Sequence, residues 1–332
     1  MAIYKLASCQ IIMTKKESFQ LEFEQHVEKG LSAFPKFLSS KYIYDDRGDE
    51  LFQQIMALPE YYLTNAEYNI IHQYKSELRA LFETTKGFDL IELGAGDGKK
   101  TKVLLEEFHV HATNFTYIPI DISQHAIDNL STSIKNIYPK MEVHGAQGTY
   151  FKVLEALSRF NKRPKVIIVL GSNIGNLPHR EAIDFLKQIQ KIMSPEDTLF
   201  MGFDQKKDPY TIQSAYADST GVTQEFNRNL LHRLNREMNA DFTVHKFEHW
   251  EAYDPENGTA KSYLIATEEC EVTIKKLNLK VHFNKWETIH TEISQKYDDL
   301  TVEWLAKESG LQISQIFEDQ EKLFKNYLFK KK

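Results

Sequence analysis

Strand-like and helix-like segments alternate along residues 87–204, and this alternation constrains the fold more than any other feature. Short apolar runs separated by segments with helical spacing indicate βαβ units and a parallel sheet. The pattern predicts strands at 89–93, 117–121, 166–170 and 198–203, and helices at 101–108 and 179–193. We therefore expect an α/β domain built on a doubly wound parallel sheet, whose ligands bind at the carboxyl ends of the strands.

The rest of the chain lacks this regular alternation of strands and helices, and its pattern predicts a second, α+β domain. Residues 209–239 and 301–329 have helical patterns. Strand-like stretches occupy 242–253, 262–267, 270–277 and 280–283, and the lysines at 330–332 are expected to be a solvated tail. Before the sheet, Thr64 and Glu67 have the spacing of a capping box, which predicts that a helix begins at Thr64.

Composition excludes several classes of protein. The chain has 332 residues, enough for two domains, and 41 Lys and Arg against 47 Asp and Glu give a net charge of −6. This balance argues against a nucleic-acid partner. With only Cys9 and Cys270, no metal-ligand spacing among the 12 histidines and no run of about 18 apolar residues, we expect no disulfide scaffold, metal site or membrane span. A cytoplasmic protein is the resulting expectation, and we further expect a monomer.

A glycine-rich turn follows the first predicted strand. Gly94, Gly96 and Gly98 precede a helix, and glycine lets the backbone turn sharply and approach a ligand without a Cβ clash. Asp121, at the end of the next strand, can accept hydrogen bonds from ribose hydroxyls. A nicotinamide dinucleotide and S-adenosylmethionine both fit this geometry, but Lys99 occupies the position of the third glycine of the dinucleotide fingerprint. The pattern therefore favours S-adenosylmethionine, with a plain tight turn as the alternative.

Two further groups of polar residues are candidates for substrate binding. Asn176 lies in a Gly/Ser/Asn loop after the strand at 166–170, where its amide could hold a carboxylate or an amine, or could be a turn residue. If residues 289–297 form a strand, Glu292, Ser294 and Lys296 share one face, and a carboxylate there could bind a cationic or N–H group. A surface Glu–Lys pair is the alternative for this segment.

These motifs together resemble a known family. From about residue 38 to residue 318 the sequence resembles the histidine-specific methyltransferases, which include enzymes of ergothioneine biosynthesis. The motifs that carry the resemblance are Tyr42-Ile43-Tyr44-Asp45, Leu58-Pro59-Glu60-Tyr61-Tyr62, Glu92-Leu93-Gly94-Ala95-Gly96, Pro119-Ile120-Asp121-Ile122-Ser123, residues 170–177, Gly221-Val222-Thr223 and Thr291-Glu292-Ile293-Ser294. The resemblance implies a class I methyltransferase (Rossmann-like) sheet over residues 65–205 that binds S-adenosylmethionine. It also implies a substrate-binding α+β domain from residues 1–64 and 206–332.

The resemblance also implies roles for individual residues. The residues expected to bind the cofactor are Gly94, Ala95, Gly96 and Lys100 at the methionine end, Asp121 and Ile122 at the ribose, and Thr149 and Tyr150 in the loop near the adenine. Tyr61, Asn176 and Tyr216 would hold the α-carboxylate and amine of the substrate, with Tyr44 beside the amine, and Asn176, Tyr216 and Tyr44 are the expected catalytic residues. Glu292 and Ser294 would bind an imidazole ring, whereas a family methionine that packs on this ring falls near Ser262.

The implied reaction is the transfer of three methyl groups to the α-amine of an amino acid. For histidine the product would be hercynine, the Nα-trimethylated betaine. Because a neutral amine must attack the methyl group directly, catalysis would depend on proximity and alignment. Another or a modified amino acid, such as a tryptophan-like one, is the nearest alternative, and a non-catalytic module that senses the cofactor is an alternative of a different class.

Overall fold

The computed structural model describes residues 15–121, 124–148, 150–151, 153–155 and 163–332. The α-helices in these ranges are α1 (Lys15–Ser32), α2 (Asp46–Met56), α3 (Tyr62–Phe82), α4 (Thr101–Val110), α5 (Gln124–Ile137), α6 (His179–Ile192), α7 (Pro209–Tyr216), α8 (Val222–Met238) and α9 (Asp299–Ser309). None of the helices in these described ranges is both long enough and apolar enough to cross a membrane.

The strands form three sheets. They are β1 (Lys36–Phe37), β2 (Phe88–Leu93), β3 (Phe115–Asp121), β4 (Ala146–Gln147), β5 (Lys165–Val169), β6 (Thr198–Asp204), β7 (Phe247–Asp254), β8 (Thr259–Ala266), β9 (Cys270–Ile274), β10 (Leu279–Phe283), β11 (Thr288–Gln295), β12 (Leu311–Glu318) and β13 (Phe324–Lys331). The chain separates into two compact units. The first contains residues through Ile55 with Ser219–Glu251 and Lys261–Glu292, and the second contains Met56–Asp218, Ala252–Ala260 and Ile293–Lys332.

The second unit is organised around a seven-stranded sheet in the order β12-β13-β6-β5-β2-β3-β4. Strands β6, β5, β2, β3 and β4 are parallel, whereas β13 is antiparallel to both of its neighbours. From β2 the chain proceeds outward to β3 and β4 and then returns to β5 on the other side, so the order reverses between β2 and β5. This confirms the predicted doubly wound sheet. Every residue of β2, β5 and β6 is buried, as expected where helices cover both faces.

The C-terminal segment differs from its predicted structure. The expected helix at 301–329 ends at Ser309, where Gly310 adopts a left-handed conformation with φ of 71°. The chain then forms β12 and β13, and β13 pairs with β6 from Phe324↔Asp204 to Lys330↔Thr198. Strands β12 and β13 therefore complete the sheet of the second unit, whereas the resemblance implied a substrate domain from 1–64 and 206–332. The predicted solvated tail is also wrong at Lys331, whose Nζ donates to the carbonyl of Met193.

The first unit is the α+β part of the chain and agrees with the prediction of a second α+β domain. It contains α1, α2, α8 and the antiparallel pair β9–β10, with β1 and most of β7, β8 and β11 in the sheet order β1-β11-β8-β7. Helix α8 holds the segment before α2, because Asn229 Nδ2 donates to the Ile43 carbonyl and to Asp45 Oδ1 at 2.9 and 2.7 Å. A Cβ at Gly48, in the first turn of α2, would lie 1.9 Å from the Ile43 oxygen, which explains why glycine occupies this position.

The buried carboxyl group of Glu92 makes the stability of the fold depend on pH. In β2 it accepts hydrogen bonds from Thr101 Oγ1 at 2.5 Å and from the hydroxyl of Tyr117. Burial raises the pKa of Glu92 from 4.5 to about 7, although both hydrogen bonds lower it. A carboxyl group whose pKa is higher in the folded chain stabilises the fold fully below its unfolded pKa, and this contribution is lost as the pH rises through about 7.

We predict that Glu92→Gln removes this pH dependence. Relative to wild type, the variant should gain up to about 3 kcal/mol of unfolding free energy when the pH is raised from 4 to 8, because glutamine has no charge to bury. Urea unfolding at both pH values measures the difference. Glu77→Gln, on the exposed face of α3, is the control and should follow the wild-type pH profile. An equal pH response in wild type and Glu92→Gln would contradict the prediction.

Candidate active site

Four parallel strands of the second unit end in the residues around which the candidate site is built. Strand β2 leads to Gly94, β3 ends at Asp121, β5 leads to Gly171, and β6 ends at Asp204. Because these strands are parallel, the four residues lie at the same edge of the sheet. This is the carboxyl edge, at which open α/β sheets bind their ligands.

The glycine turn after β2 has the geometry of a ligand cradle. Gly94, Gly96 and Gly98 adopt φ values of 76°, 52° and 64°, in the left-handed region that favours glycine. A Cβ at Gly94 would lie 2.8 Å from Tyr150 Oη, so the Tyr150 hydroxyl closes one side of the turn. Among the described residues, no heavy atom comes within 4 Å of a Cβ built at Gly96, and the turn is therefore open there. Ala95 between them is buried.

Tyr150 links the glycine turn to the end of β3. Burial raises the pKa of the Tyr150 hydroxyl to about 12, and the negative charge of Asp121 contributes to this rise. The phenol therefore stays protonated, and Asp121 is near enough to influence it. The structure thus brings together three residues that were predicted to bind the cofactor, Gly94, Asp121 and Tyr150. Two other predicted cofactor residues, Ile122 and Thr149, lie outside the described residues.

Glu67 is a buried carboxylate that organises this edge of the sheet, and sequence reasoning misinterpreted it. Its Oε2 accepts from Lys100 Nζ at 2.5 Å and from the Gly171 amide at 2.6 Å, and its Oε1 accepts from Asn326 Nδ2 at 2.8 Å. The capping-box prediction is wrong, because α3 already begins at Tyr62.

A signal for this role was present in the sequence. Glu67 falls on the same helical stripe as Leu63, Ile70 and Ile71, all of which are buried. A carboxylate on the apolar face of a helix has to find a buried partner. The periodicity of α3 therefore contained the information that the capping interpretation set aside.

Three of the predicted substrate residues are close together in the second unit. The rings of Tyr61 and Tyr216 are 6.1 Å apart in an edge-to-face arrangement, and Tyr216 Oη lies 2.8 Å from Ser294 Oγ. Asn176 is exposed at the end of a 3₁₀ turn, Asn173–Asn176, that follows β5. This turn is held by Tyr297, whose hydroxyl donates to the Ile174 carbonyl at 3.2 Å.

A buried cluster of charges lies next to Tyr216 and was not predicted. Asp204 accepts from Tyr62 Oη at 2.9 Å and forms salt bridges with Lys207 and Lys296, the latter at 2.7 Å. We call these four residues the Asp204 cluster. Its carboxylate and Lys296 are fully buried, so the interpretation of Lys296 as half of a surface pair is wrong. The cluster is held in the sheet because the Asp204 amide donates to Ser172 Oγ at 3.0 Å.

Burial and charge act in opposite directions on the pKa values of this cluster. Burial alone would raise the pKa of Asp204, but the positive charges of Lys296 and Lys207 hold it below its usual value. Burial lowers the pKa of Lys207 to about 8, although Asp204 raises it. The pKa of Tyr62 is well above its usual value because of burial and the Asp204 charge. Asp204 is therefore ionised and Tyr62 protonated at neutral pH.

The other two predicted substrate residues belong to the first unit. The ring of Tyr44 packs edge-to-face against Phe52 and Phe226, with centroids 5.6 and 5.4 Å apart. Glu292 is half-buried on β11, two residues before Ser294 on the same strand.

Polar groups also surround the position at which a family methionine was expected. Ser262 Oγ donates to Glu251 Oε2 at 2.6 Å, and both residues are buried. The backbone carbonyl of Ser262 accepts from Thr291 Oγ1 at 3.1 Å. The position is therefore polar in this chain.

Comparison with known proteins identifies the family of this chain. The model of the family described as histidine-specific methyltransferase, SAM-dependent, matches residues 23–331. The chain is 33% identical over 282 residues to histidine N-alpha-methyltransferase of Mycobacterium tuberculosis, covering 85% of this chain and 86% of that protein. It is 34% identical over 286 residues to the protein of the same name from Mycolicibacterium smegmatis, covering 86% and 87%. Ergothioneine biosynthesis protein 1 of Neurospora crassa is 30% identical over 84% of this chain, which spans 31% of that longer protein.

We predict that Glu67→Gln weakens both the fold and the binding of S-adenosylhomocysteine, the demethylated form of the family's methyl donor. The variant leaves the Lys100 ammonium beside a neutral amide and removes a carboxylate that is fully buried, which should cost about 3 kcal/mol of unfolding free energy. We expect the affinity for S-adenosylhomocysteine to fall at least tenfold, because Lys100 is no longer fixed beside the glycine turn. Urea unfolding and isothermal titration calorimetry measure the two effects.

Glu77→Gln, ten residues further along α3 and exposed, is the matched control for this substitution. It should change neither the affinity nor, by more than about 0.5 kcal/mol, the stability. If Glu67→Gln loses stability but binds S-adenosylhomocysteine as tightly as wild type, Glu67 supports the fold and has no part in presenting Lys100.

Proposed function

The chain belongs to the histidine-specific, S-adenosylmethionine-dependent methyltransferases, and we propose that it methylates the α-amine of histidine, with hercynine as product. Membership of this family makes it an enzyme of methyl transfer that uses S-adenosylmethionine and a small-molecule substrate. The observation that carries the choice of substrate is the 2.8 Å contact between Tyr216 and Ser294. It joins a residue assigned to the amine end of an amino acid to one assigned to an imidazole ring.

The residues at the edge of the sheet fit the cofactor. The turn is open at Gly96, where a side chain would fill the space, and Asp121 and Tyr150 lie on the neighbouring strand and loop. We assign Gly94, Ala95, Gly96 and Lys100 to the methionine end, Asp121 and Ile122 to the ribose, and Thr149 and Tyr150 to the adenine side. When bound, S-adenosylmethionine supplies an electrophilic methyl group on a sulfonium.

The substrate residues would act by orientation. Tyr61, Asn176 and Tyr216 hold the α-carboxylate and the amine, Tyr44 lines the amine pocket, and Asn176 and Tyr216 align the nitrogen lone pair for in-line transfer. No covalent intermediate is needed, because holding the two reactants in line accounts for a large part of such a rate enhancement. Glu292 and Ser294 would bind the imidazole nitrogens. A carboxylate there can accept a hydrogen bond from an imidazole N–H, which favours histidine over a purely apolar side chain.

A different amino acid is the second candidate substrate, and one observation favours it. The buried Ser262–Glu251 pair places polar groups where the family resemblance implies a methionine packed on the imidazole ring. A polar pair at this position suits a side chain with an additional hydrogen-bonding group, such as a modified histidine. The amine chemistry would be unchanged.

A substrate screen decides between these candidates. The protein is incubated with S-adenosylmethionine and each amino acid in turn, and products are identified by mass spectrometry. A gain of three methyl groups on histidine supports the proposal, whereas trimethylation of a different amino acid moves the specificity and keeps the chemistry. Absence of any product with protein that binds S-adenosylhomocysteine would refute methylation of a free amino acid. We also propose that the enzyme is cytoplasmic and acts as a monomer. Size-exclusion chromatography with light scattering tests the oligomeric state.

We predict that Asn176→Ala lowers kcat for histidine by at least a hundredfold, because the amine loses a partner that aligns it with the methyl group. The affinity for S-adenosylhomocysteine should stay within about threefold of wild type. Asn136→Ala, at an exposed position of α5, is the control and should retain full activity. A loss of cofactor affinity equal to the loss of turnover would overturn the assignment of Asn176 to the substrate.

We predict that Glu292→Gln raises KM for histidine at least tenfold, because the neutral amide binds an imidazole N–H less strongly than a carboxylate does. Steady-state kinetics with histidine over a range of concentrations measures this change. Glu269→Gln, an exposed carboxylate of the first unit, serves as the control. An unchanged KM in Glu292→Gln would show that this side chain does not contact the ring.

A further inference from the structure

Lys296 is fully buried, and its ammonium group is completely used by three acceptors. Nζ lies 2.7 Å from Asp204 Oδ2, 2.7 Å from Tyr216 Oη and 2.7 Å from Ser294 Oγ. A lysine ammonium has three N–H donors and no acceptor, so these three contacts account for all of them. Two of the three oxygens belong to residues that we assign to the substrate.

This arrangement fixes the direction of the hydroxyl hydrogens. Tyr216 Oη and Ser294 Oγ both accept from Lys296, so each must direct its own hydrogen elsewhere. They also lie 2.8 Å apart, and one of them donates to the other. One hydroxyl hydrogen is consumed in that bond, and the second points away from the three groups. Lys296 therefore turns two ambiguous hydroxyls into a single hydrogen-bonding unit.

The charge of the Asp204 cluster is the second part of the argument. One carboxylate faces two ammonium groups, Lys207 and Lys296, and the tyrosines around Lys296, Tyr62, Tyr216 and Tyr253, are neutral when protonated. Asp319 adds a second negative charge on the side of Lys207, so the positive charge that faces Tyr216 is that of Lys296. Lys296 brings this charge to within 4.5 Å of the centre of the Tyr216 ring. A positive charge at this distance disfavours an ammonium form of a nearby substrate amine and favours the neutral form.

We propose that Lys296 is a positioning residue of the methyl-transfer site. It holds Tyr216 and Ser294 as one hydrogen-bonding unit, and it keeps the bound substrate amine neutral for attack. The inference rests on the proposed function, in which Tyr216 contacts the amine and Ser294 the ring. In this proposal Lys296 contacts neither the substrate amine nor the substrate ring. It acts through the hydroxyls of Tyr216 and Ser294 and through its positive charge.

Lys207 provides a matched control. Both lysines pair with Asp204, and removing either one leaves that carboxylate with a single cation. Lys207 contacts Tyr62 Oη at 2.8 Å instead of Tyr216 and Ser294. We expect Lys296→Met to lower kcat/KM at least a hundredfold while S-adenosylhomocysteine binds within about threefold of wild type. Lys207→Met should lower kcat/KM clearly less than Lys296→Met does, because it leaves the contacts of Lys296 with Tyr216 and Ser294 in place.

The pH dependence of kcat separates positioning from a purely structural role. The rate should rise with pH as the bound amine loses its proton, and loss of the Lys296 charge raises the pKa of that amine. In Lys296→Met the rising limb of kcat should move to higher pH by at least one unit, because the positive charge that disfavours protonation of the amine is gone. Lys296→Arg keeps the charge but not the three-acceptor geometry, so it should lose kcat without a shift of the limb.

The outcomes assign failure to one proposal or the other. If wild type does not methylate histidine, the proposed function fails. The Lys296 variants are then assayed with the amino acid that wild type does methylate. If wild type is active and Lys296→Met stays within threefold of it, the inference is wrong. Equal losses in Lys296→Met and Lys207→Met with no movement of the pH limb would assign Lys296 to stability alone. If Lys296→Met does not bind S-adenosylhomocysteine, the test uses Lys296→Arg instead. A wild-type kcat in Lys296→Arg would then overturn the inference.

Discussion

The second unit depends on the pairing of two carboxylates, Glu67 and Asp204, that are fully buried at the carboxyl edge of its sheet. An isolated charge cannot be left in such a place, so each carboxylate has to draw donors from several segments of the chain. Glu67 joins α3 to Lys100 beside the glycine turn, to the loop after β5 and to β13. Asp204 joins β6 to α3 through Tyr62 and to the end of β11 through Lys296. Helix α3 therefore supports both the predicted cofactor side and the predicted amine side of the site.

This arrangement also explains how the residues at this edge can be held rigidly in place. The side-chain hydrogen bonds to Glu67 and Asp204 all have a charged acceptor, and such bonds are shorter and stronger than neutral ones. Breaking one partner leaves a buried charge uncompensated, which typically costs about 3–5 kcal/mol. A methyl transfer that relies on alignment needs this rigidity, because small displacements of the reacting atoms lower the rate steeply. The same pairings thus serve stability and orientation together.

The parts of the structure that the sequence predicted are those encoded locally. The strands of the parallel sheet, the glycine turn and the acid at the end of β3 follow from short apolar runs and from glycines that need a left-handed backbone. The errors concern pairings over long separations. Glu67 has partners 33, 104 and 259 residues away, and Lys296 pairs with an aspartate 92 positions earlier, so a local segment cannot show either pairing, although the apolar stripe of α3 indicates that Glu67 is buried.

The C-terminal error has the same origin. Residues 311–331 form strands because β6 offers them an edge, and a segment cannot show in isolation that such an edge exists. The intrinsic preferences of short segments therefore determine the strands and helices of the parallel core. Pairing with β6 determines that the C-terminal segment forms strands β12 and β13.

The proposed site residues are divided between the two units, and the division does not follow their proposed roles. Tyr61, Asn176 and Tyr216 lie in the unit that contains both carboxylate networks, and Tyr216 is bonded directly to Lys296. A substitution there disturbs buried charges, so it carries a cost in stability as well as in rate. Glu292 and the Ser262–Glu251 pair lie in the first unit. Ser294, which the proposal assigns to the imidazole ring, lies in the second unit and accepts from Lys296, so a substitution of Ser294 would disturb the proposed ring contact and the partners of Lys296 together.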